Sequence, residues 1–408
     1  MSEEAADQPA RRILMLCTKF ARCPQDRYLT NDLAHALRDA GAIVDVAVID
    51  WTCASPQVEL ISMSDGIRAL FVPPPAFASF GPVIAKVVKW LGAGFRLRRA
   101  IRRVFADQSY DLVLGFSPLV TTGIATSWAI SRHRCRGYAY IVDFFPWHHH
   151  ALGLLNRGSM IVGLVLETLF IRRFDVVACM SDAGVRYLKK HYFLRKRQKT
   201  PVLHLWGDPS PLPRKDRKKV RIAHAIPTTA KIALFGGQLA PGRGIEDILA
   251  VAGISIYAKP DLYFLFVGSG GLEALISNYI DKVGSNVIHI PAVSRDAYLQ
   301  IAMSCDVGLI STVANSGVPT FPSKVIDYLR AGLPVIASVE SSTDFGSYVE
   351  QAGFGKHVPA GDANRYFSAI CEVVDSAIIR RDMCLSGYRA LRDGFDVEAA
   401  AAAVLAEI

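Results

Sequence analysis

Short β-branched, apolar runs alternate with longer segments of helical period along the whole chain, a rhythm that restricts the fold to parallel sheets wrapped by helices. In the first half the runs predict strands near Ile13–Cys17, Val44–Ile49, Ala69–Val72, Leu112–Gly115, Tyr138–Val142, Val176–Met180 and Val202–Leu205. In the second half they fall near Ile232–Phe235, Tyr263–Val267, Val287–Ile290, Val307–Ile310 and Val335–Ala337. Helices are expected at Leu29–Ala40, Ile245–Val251, Leu272–Val283, Arg295–Met303 and Lys324–Ala331. Between the two series stands Gly207-Asp208-Pro209-Ser210-Pro211-Leu212-Pro213, which cannot continue a helix or a central strand, followed by a basic run from Arg214 to Arg221. The reading is an α/β chain of two doubly wound domains, residues 1–206 and 229–390, joined by a linker at 207–228. An alanine-rich helix closes the chain within 391–408, and its return to the first domain is left open.

A length of 408 residues with 51% hydrophobic side chains excludes a disordered tail or a small disulfide scaffold. The eight cysteines, Cys17, Cys23, Cys53, Cys135, Cys179, Cys305, Cys371 and Cys384, form no Cys-x-x-Cys pair, which fits reduced thiols in a cytosolic protein. The N-terminal MSEEAADQPARR has no secretory pattern, and Met160–Ile171, interrupted by Glu167, is too short for the ~20 residues of a membrane span. Charge is uneven. Residues 1–221 carry 33 basic and 18 acidic side chains (+15), and 222–408 carry 13 and 19 (−6), which together restore the net +9. The first half is therefore expected to meet something anionic.

In doubly wound domains ligands bind outside the carboxyl ends of the strands, so the loops that follow strands carry the argument. Gly236-Gly237-Gln238-Leu239-Ala240-Pro241-Gly242-Arg243-Gly244 leads from a strand into a helix. Glycines admit a ligand to the backbone, the helix start offers N–H groups, and Arg243 adds a full charge, a set that suits a diphosphate. A glycine-rich turn with a solvated arginine has the same sequence. Gly268-Ser269-Gly270-Gly271 repeats the strand–glycine–helix form. The third segment is Pro319-Thr320-Phe321-Pro322-Ser323-Lys324, whose helix start puts Lys324 and Asp327 on one face. There a lysine can meet phosphate and a carboxylate can accept ribose hydroxyls, although an exposed Lys–Asp pair is the common alternative.

This last run, continuing through Tyr328-Leu329 to Gly332-Leu333-Pro334-Val335-Ile336-Ala337-Ser338, resembles the donor-site helix of retaining, family-four-type (group 1) glycosyltransferases with the GT-B fold, in a subset with a Pro-Ser-Lys helix start. Asp143-Phe144-Phe145-Pro146-Trp147, Glu167 with Phe174-Asp175-Val176-Val177 through Ser181, Leu205-Trp206-Gly207-Asp208 and Gly361-Asp362 resemble further family segments in the family's order. The resemblance implies two Rossmann-like domains facing a central cleft. The C-terminal one holds a nucleotide-diphosphate sugar and the N-terminal one presents the acceptor. By position it implies Arg243 and Lys324 on the diphosphate, Asp327 on the ribose, and Gly236, Gly237, Gln238, Gly268, Thr320, Pro322 and Ser323 around the donor. Two positions depart from the family pattern: Pro319 stands where the first of two glutamates is usual, and Gln238 where an arginine is usual.

On the acceptor side, Asp143 follows a buried-looking strand and precedes Phe145, His148 and His149, a set suited to a hydroxylated acceptor or to general-base work. A solvated histidine loop is the plainer reading, and no metal site is visible. Lys86–Arg103 holds seven basic and no acidic residues interleaved with apolar ones, although Gly92 and Gly94 weaken a continuous helix. Lys89, Trp90, Arg98, Arg99, Arg102 and Arg103 are expected to rest on anionic lipid, unless the stretch packs on its own sheet. No base-reading motif points to nucleic acid.

The expected function is transfer of a sugar from a nucleotide donor, without metal or other cofactor, to a polyprenyl-diphosphate-linked or polysaccharide acceptor in surface-glycan synthesis. The enzyme is expected on the cytoplasmic face of the membrane. A catalytically silent sugar-nucleotide-binding scaffold and a nucleotide-sugar epimerase are the alternatives.

Overall fold

The computed structural model describes residues 10–23, 28–52, 57–63, 66–75, 82–213, 215–283 and 286–408; Cys53, Arg214 and the N-terminal residues through Pro9 lie outside them. The chain divides into two compact units. One comprises the residues up to His204 together with Val397–Ile408, and the other Leu205–Asp396.

The first unit runs β1 (Arg12–Cys17), α1 (Leu29–Asp39), β2 (Ile43–Ile49), β3 (Glu59–Ser62), β4 (Arg68–Val72), α2 (Pro82–Val104), β5 (Leu112–Phe116), α3 (Leu119–His133), β6 (Arg136–Ile141), α4 (Trp147–Ala151), α5 (Arg157–Ile171), β7 (Val176–Cys179) and α6 (Asp182–His191). Its sheet has the order β3-β4-β2-β1-β5-β6-β7, parallel except for β3, which is antiparallel to β4. The inner strands are apolar without alternation because helices cover both faces. Val202–Leu205, expected as a strand, makes only a bridge from Val202 to Cys179. Pro201 has no N–H to continue the pairing.

The second unit runs α7 (Arg217–Ala223), β8 (Lys231–Gly236), α8 (Ile245–Ala258), β9 (Leu262–Val267), α9 (Glu273–Lys282), β10 (Val287–Ile290), α10 (Arg295–Met303), β11 (Val307–Ser311), α11 (Lys324–Arg330), β12 (Val335–Val339), α12 (Phe345–Gln351), β13 (Gly355–Pro359), α13 (Ala363–Asp375) and α14 (Ala377–Gly394). The six strands lie in the order β10-β9-β8-β11-β12-β13, all parallel.

Part of the expected linker is structured: α7 belongs to this unit, and its Arg221 is buried. Arg221 donates to the carbonyls of Ser304 (2.9 Å) and Ala230 (2.8 Å) and pairs with Asp306 at 3.2 Å, and Arg217 pairs with the same carboxylate at 2.8 Å. Two charges of the basic run therefore serve the fold.

The expected 391–408 helix is divided. α14 ends at Gly394, and α15 (Val397–Leu405) belongs to the first unit, packed on α1. Beyond α15, Glu407 pairs with Lys199 at 2.8 Å and Arg136 at 3.3 Å. Each sheet reverses its strand order beside its first strand, between β1 and β5 and between β8 and β11, where loops diverge and leave room for a ligand.

Candidate functional site

In the second unit the loop after β8 closes onto the loop after β9 through backbone contact. Gly237 N–H donates to Val267 O (2.9 Å) and Leu239 N–H to Ser269 O (3.0 Å). Gly268 has φ +147°, and a Cβ there would lie 1.9 Å from Gly237 O, so only glycine permits this approach. Gly244 caps α8 with φ +59°, and a Cβ there would lie 2.0 Å from Ser311 Oγ. Those constraints hold Arg243 and the α8 N-terminus against the end of β11, at the reversal point.

Lys324 approaches the same place from the start of α11. Its side chain as a whole is half-buried, but its Nζ is shut off from solvent and has no hydrogen-bond partner among the described residues; it sits 3.4 Å above the Phe235 ring centroid. Burial pushes its pKa well below the lysine value, and the nearby charge of Arg243 pushes it the same way. A cation–π contact supplies about 0.5–2 kcal/mol, whereas the effective cost of burying an ion is several kcal/mol. The ring alone therefore does not offset the burial of the Lys324 ammonium.

Asp327, on the same helix, accepts from Arg295 Nη2 at 3.0 Å, so it is an ion-paired carboxylate. Tyr328 Oη accepts from Gly236 N–H (3.0 Å) and reaches the carbonyls of Leu234 and Leu309, both at 3.1 Å, which ties β8 to β11. Gln238 and Ser323 are exposed, Pro319 and Pro322 are buried, and Thr320 O accepts from Thr343 Oγ1 at 2.6 Å. Glu340 is buried and accepts from Ser316 Oγ and from Gly317 N–H (3.0 Å), which pins the loop leading to Pro319.

In the first unit Ser117 Oγ accepts from the N–H groups of Val142 (2.8 Å) and Asp143 (3.0 Å), fixing Asp143 just past β6. His148 Nδ1 lies 2.9 Å from Asp143 Oδ1, and His149 Nδ1 lies 3.8 Å from Oδ2. Burial lowers the pKa of His149 against the pull of Asp143, and its ring meets Phe145 edge-on at 5.2 Å. Asp143, Phe145, His148 and His149 thus form one cluster. His150 instead contacts Leu155 O at 2.8 Å. Glu167, fully buried, accepts the N–H groups of Leu119 (2.9 Å) and Val120 (2.8 Å) at the start of α3, and burial raises its pKa to about 8. Among the described residues no group of three or more His, Cys, Asp or Glu side chains could hold a metal ion.

Two family models match along the chain: a glycosyl transferase 4-like domain over residues 27–206, and glycosyl transferases group 1 over residues 216–388. The chain belongs to the group 1 glycosyltransferases. Its two parallel-sheet units are the Rossmann-like domains of the GT-B fold. Among solved structures, the transferase is similar to sucrose-phosphate synthase from Thermosynechococcus elongatus (17% identity, 97% of this chain and 98% of that one, TM-score 0.73). It is also similar to Anabaena Alr3699/HepE in complex with UDP and glucose (15%, 98% and 100%, TM-score 0.71). WaaG, a glycosyltransferase involved in lipopolysaccharide biosynthesis, is a third (13%, 96% and 98%, TM-score 0.67). No curated protein sequence matches the chain.

The expected membrane patch of the transferase needs correction. α2 is continuous through both glycines: at Gly94 a Cβ would come within 3.0 Å of Ile124 Cβ, so glycine serves a close crossing with α3. Trp90 is buried against Phe145, with ring centroids 5.1 Å apart, and cannot face lipid. Lys89 stacks over Trp51 (4.5 Å) and Arg98 over Trp128 (5.8 Å). Of the residues named, Arg99, Arg102 and Arg103 are left as solvent-facing cations without such stacking. Among the described residues no helix is long and apolar enough to cross a membrane.

Sequence reasoning missed Arg295 and Glu340 and gave Tyr328 no role of its own. Tyr328 stands inside the donor-helix motif and was readable as part of it. The partners of Arg295 and Glu340 lie 32 and 24 residues away, and no local pattern announces them.

Proposed function

We propose that this nucleotide-sugar-dependent transferase moves its sugar, with retention at the anomeric carbon, to a polyprenyl-diphosphate-linked or polysaccharide acceptor in surface-glycan synthesis at the cytoplasmic face of a membrane. The observation that carries the donor half of this reading is the enclosed, unpartnered Nζ of Lys324 beside Arg243. A diphosphate there would give Lys324 Nζ the acceptor it lacks among the described residues and would lie beside the charge of Arg243. In the transfer, the bond from the anomeric carbon to the diphosphate oxygen breaks and one to an acceptor oxygen forms, while the acceptor proton leaves. Negative charge grows on the departing diphosphate, so cations already in place stabilise the transition state more than the ground state. We assign that work to Arg243, Lys324 and the α8 N-terminus rather than to a metal ion, and ribose contact to Asp327, already held by Arg295. The loops with Gly236, Gly237, Gln238, Gly268, Thr320, Pro322 and Ser323 would border the donor. Asp143, His148, His149 and Phe145 would receive the acceptor. The bound UDP named for HepE makes UDP-sugars the first donors to try.

The test is calorimetric titration of the protein and of Arg243→Ala with UDP, GDP, CDP and TDP. Loss of a charge-assisted hydrogen bond worth about 1.5–3 kcal/mol should weaken the preferred diphosphate more than tenfold. Unchanged affinity would remove Arg243 from the site. Analysis of the anomeric product made on a lipid-diphosphate acceptor then tests retention and acceptor class.

A further inference from the structure

Helix α5 presents an apolar stripe that no described residue of its unit covers. Ile161, Val165 and Leu169, spaced four apart and so on one helical face, are 52%, 55% and 55% exposed. Isolated exposed apolar residues are ordinary, but a contiguous row on one helix face marks a contact surface. Further exposed apolar side chains stand beyond both helix ends. Leu154 is 50% exposed on the N-terminal side, where Lys86 Nζ donates to its carbonyl (3.2 Å). On the C-terminal side Arg172 donates to the carbonyl of Phe193 (3.2 Å), which places that loop beside the helix, and the Phe193 side chain is 77% exposed.

Charge decides the occupant. Arg157 stands on the striped face one turn before Ile161, and Arg172 and Arg173 follow Leu169; all three are exposed. Arg157 and Arg172 are about 22 Å apart at 1.5 Å rise per residue, so cations bracket the apolar row at both ends. Lys196 and Arg197 extend the positive edge behind Phe193. Between Asp143 and Asp175 the single acidic side chain is Glu167, turned inward onto the start of α3. The nearest solvent-accessible acid, Asp175, follows Arg173 and Phe174 and lies 3.6 Å from Arg195, so basic side chains still outnumber acids at that end. An apolar row bracketed by an excess of basic side chains matches acyl chains flanked by anionic headgroups, with the arginines snorkelling outward. A protein partner would match it equally well only by presenting acids at both ends of a greasy groove.

We propose that α5, with Leu154 and the loop at Phe193, is the surface by which the transferase lies on an anionic lipid bilayer, with the helix parallel to the membrane plane. This rests on the membrane part of the proposed function and moves it from the face of α2 to that of α5.

The experiment is co-sedimentation of the full chain with vesicles of phosphatidylcholine and phosphatidylglycerol. It compares wild type, the triple variant Ile161→Asn, Val165→Asn, Leu169→Asn, and the triple variant Arg99→Gln, Arg102→Gln, Arg103→Gln. Nucleoside-diphosphate affinity is followed in each as a measure of folding and of the donor site. Partition should fall at least tenfold in the α5 variant and stay within twofold in the α2 variant, and wild-type binding should weaken with salt and with removal of phosphatidylglycerol. Loss in the α2 variant with retention in the α5 variant overturns the assignment while leaving membrane binding intact. Absence of wild-type binding overturns both and leaves the donor site standing. A wild-type dimer in sedimentation equilibrium that the α5 variant abolishes, without vesicle binding, identifies a second copy as the occupant and also overturns it.

Discussion

At Lys324 the folded chain leaves an ammonium with an aromatic ring on one side and the charge of Arg243 nearby. Two opposite effects of one substitution follow. Lys324→Met should weaken nucleoside-diphosphate binding more than tenfold, by the loss of about 1.5–3 kcal/mol in charge-assisted hydrogen bonding. The same change should raise the melting temperature of the ligand-free protein, because an enclosed charge is replaced by a side chain suited to its surroundings. Calorimetric titration and scanning calorimetry read the two effects separately. The pH dependence has a definite sign. With its pKa depressed, Lys324 releases its proton in the free protein below the ordinary value of 10.5, and a bound diphosphate restores it. Binding should therefore take up a proton, and affinity should fall as pH rises above the free-state value. Titrations in buffers of different ionisation enthalpy would show that uptake. The sequence made Arg243, on a glycine-rich loop, and Lys324, at a helix start, candidates for phosphate contact. It could not show that Lys324 is enclosed, because enclosure comes from Phe235 on a strand 89 residues earlier.

At the level of elements, the strands most readable in sequence were those buried on both faces, since a parallel sheet asks for unbroken apolar runs. β3, an exposed edge strand of Glu59-Leu60-Ile61-Ser62, and β13, of Gly355-Lys356-His357-Val358-Pro359, have no such run and were not foreseen. α2 was obscured for a different reason: its glycines read as helix breakers, whereas Gly94 is set by the distance to α3. The joint between α3 and α5 depends on Glu167. Its folded-state pKa of about 8 lies above the ordinary 4.5, so the folded protein holds a proton that the unfolded chain gives up. The stability from this group is full below about 4.5 and is lost as pH rises through about 8. Glu167→Gln should flatten that slope. At pH 5 it should cost about 1–3 kcal/mol, since an amide cannot accept from both N–H groups with two oxygens; urea melts at several pH values measure both effects. At the other joint, Gly244→Ala places a side chain in left-handed backbone, which costs about 1–2 kcal/mol before the clash with Ser311 is counted. The cap of α8 should shift, and diphosphate affinity should fall with stability.

At the scale of the whole molecule, the first unit is not a continuous stretch of chain. Its last helix, α15, is reached only after the whole of Leu205–Asp396. The two passages of chain at the border of the second unit run side by side there, with Gly207 N–H donating to Phe395 O at 2.8 Å. A chain ended before Val397 should lose amide protection in α1, on which α15 packs, while nucleotide binding by the second unit persists. Hydrogen exchange followed by mass spectrometry would locate the loss. The same connectivity fixes an order of events during synthesis. The residues of the first unit leave the ribosome first, yet that unit acquires its closing helix last. The intervening unit can finish folding while the first unit still exposes the apolar flank of α1, so the interval before α15 emerges is when the nascent protein is most prone to aggregate.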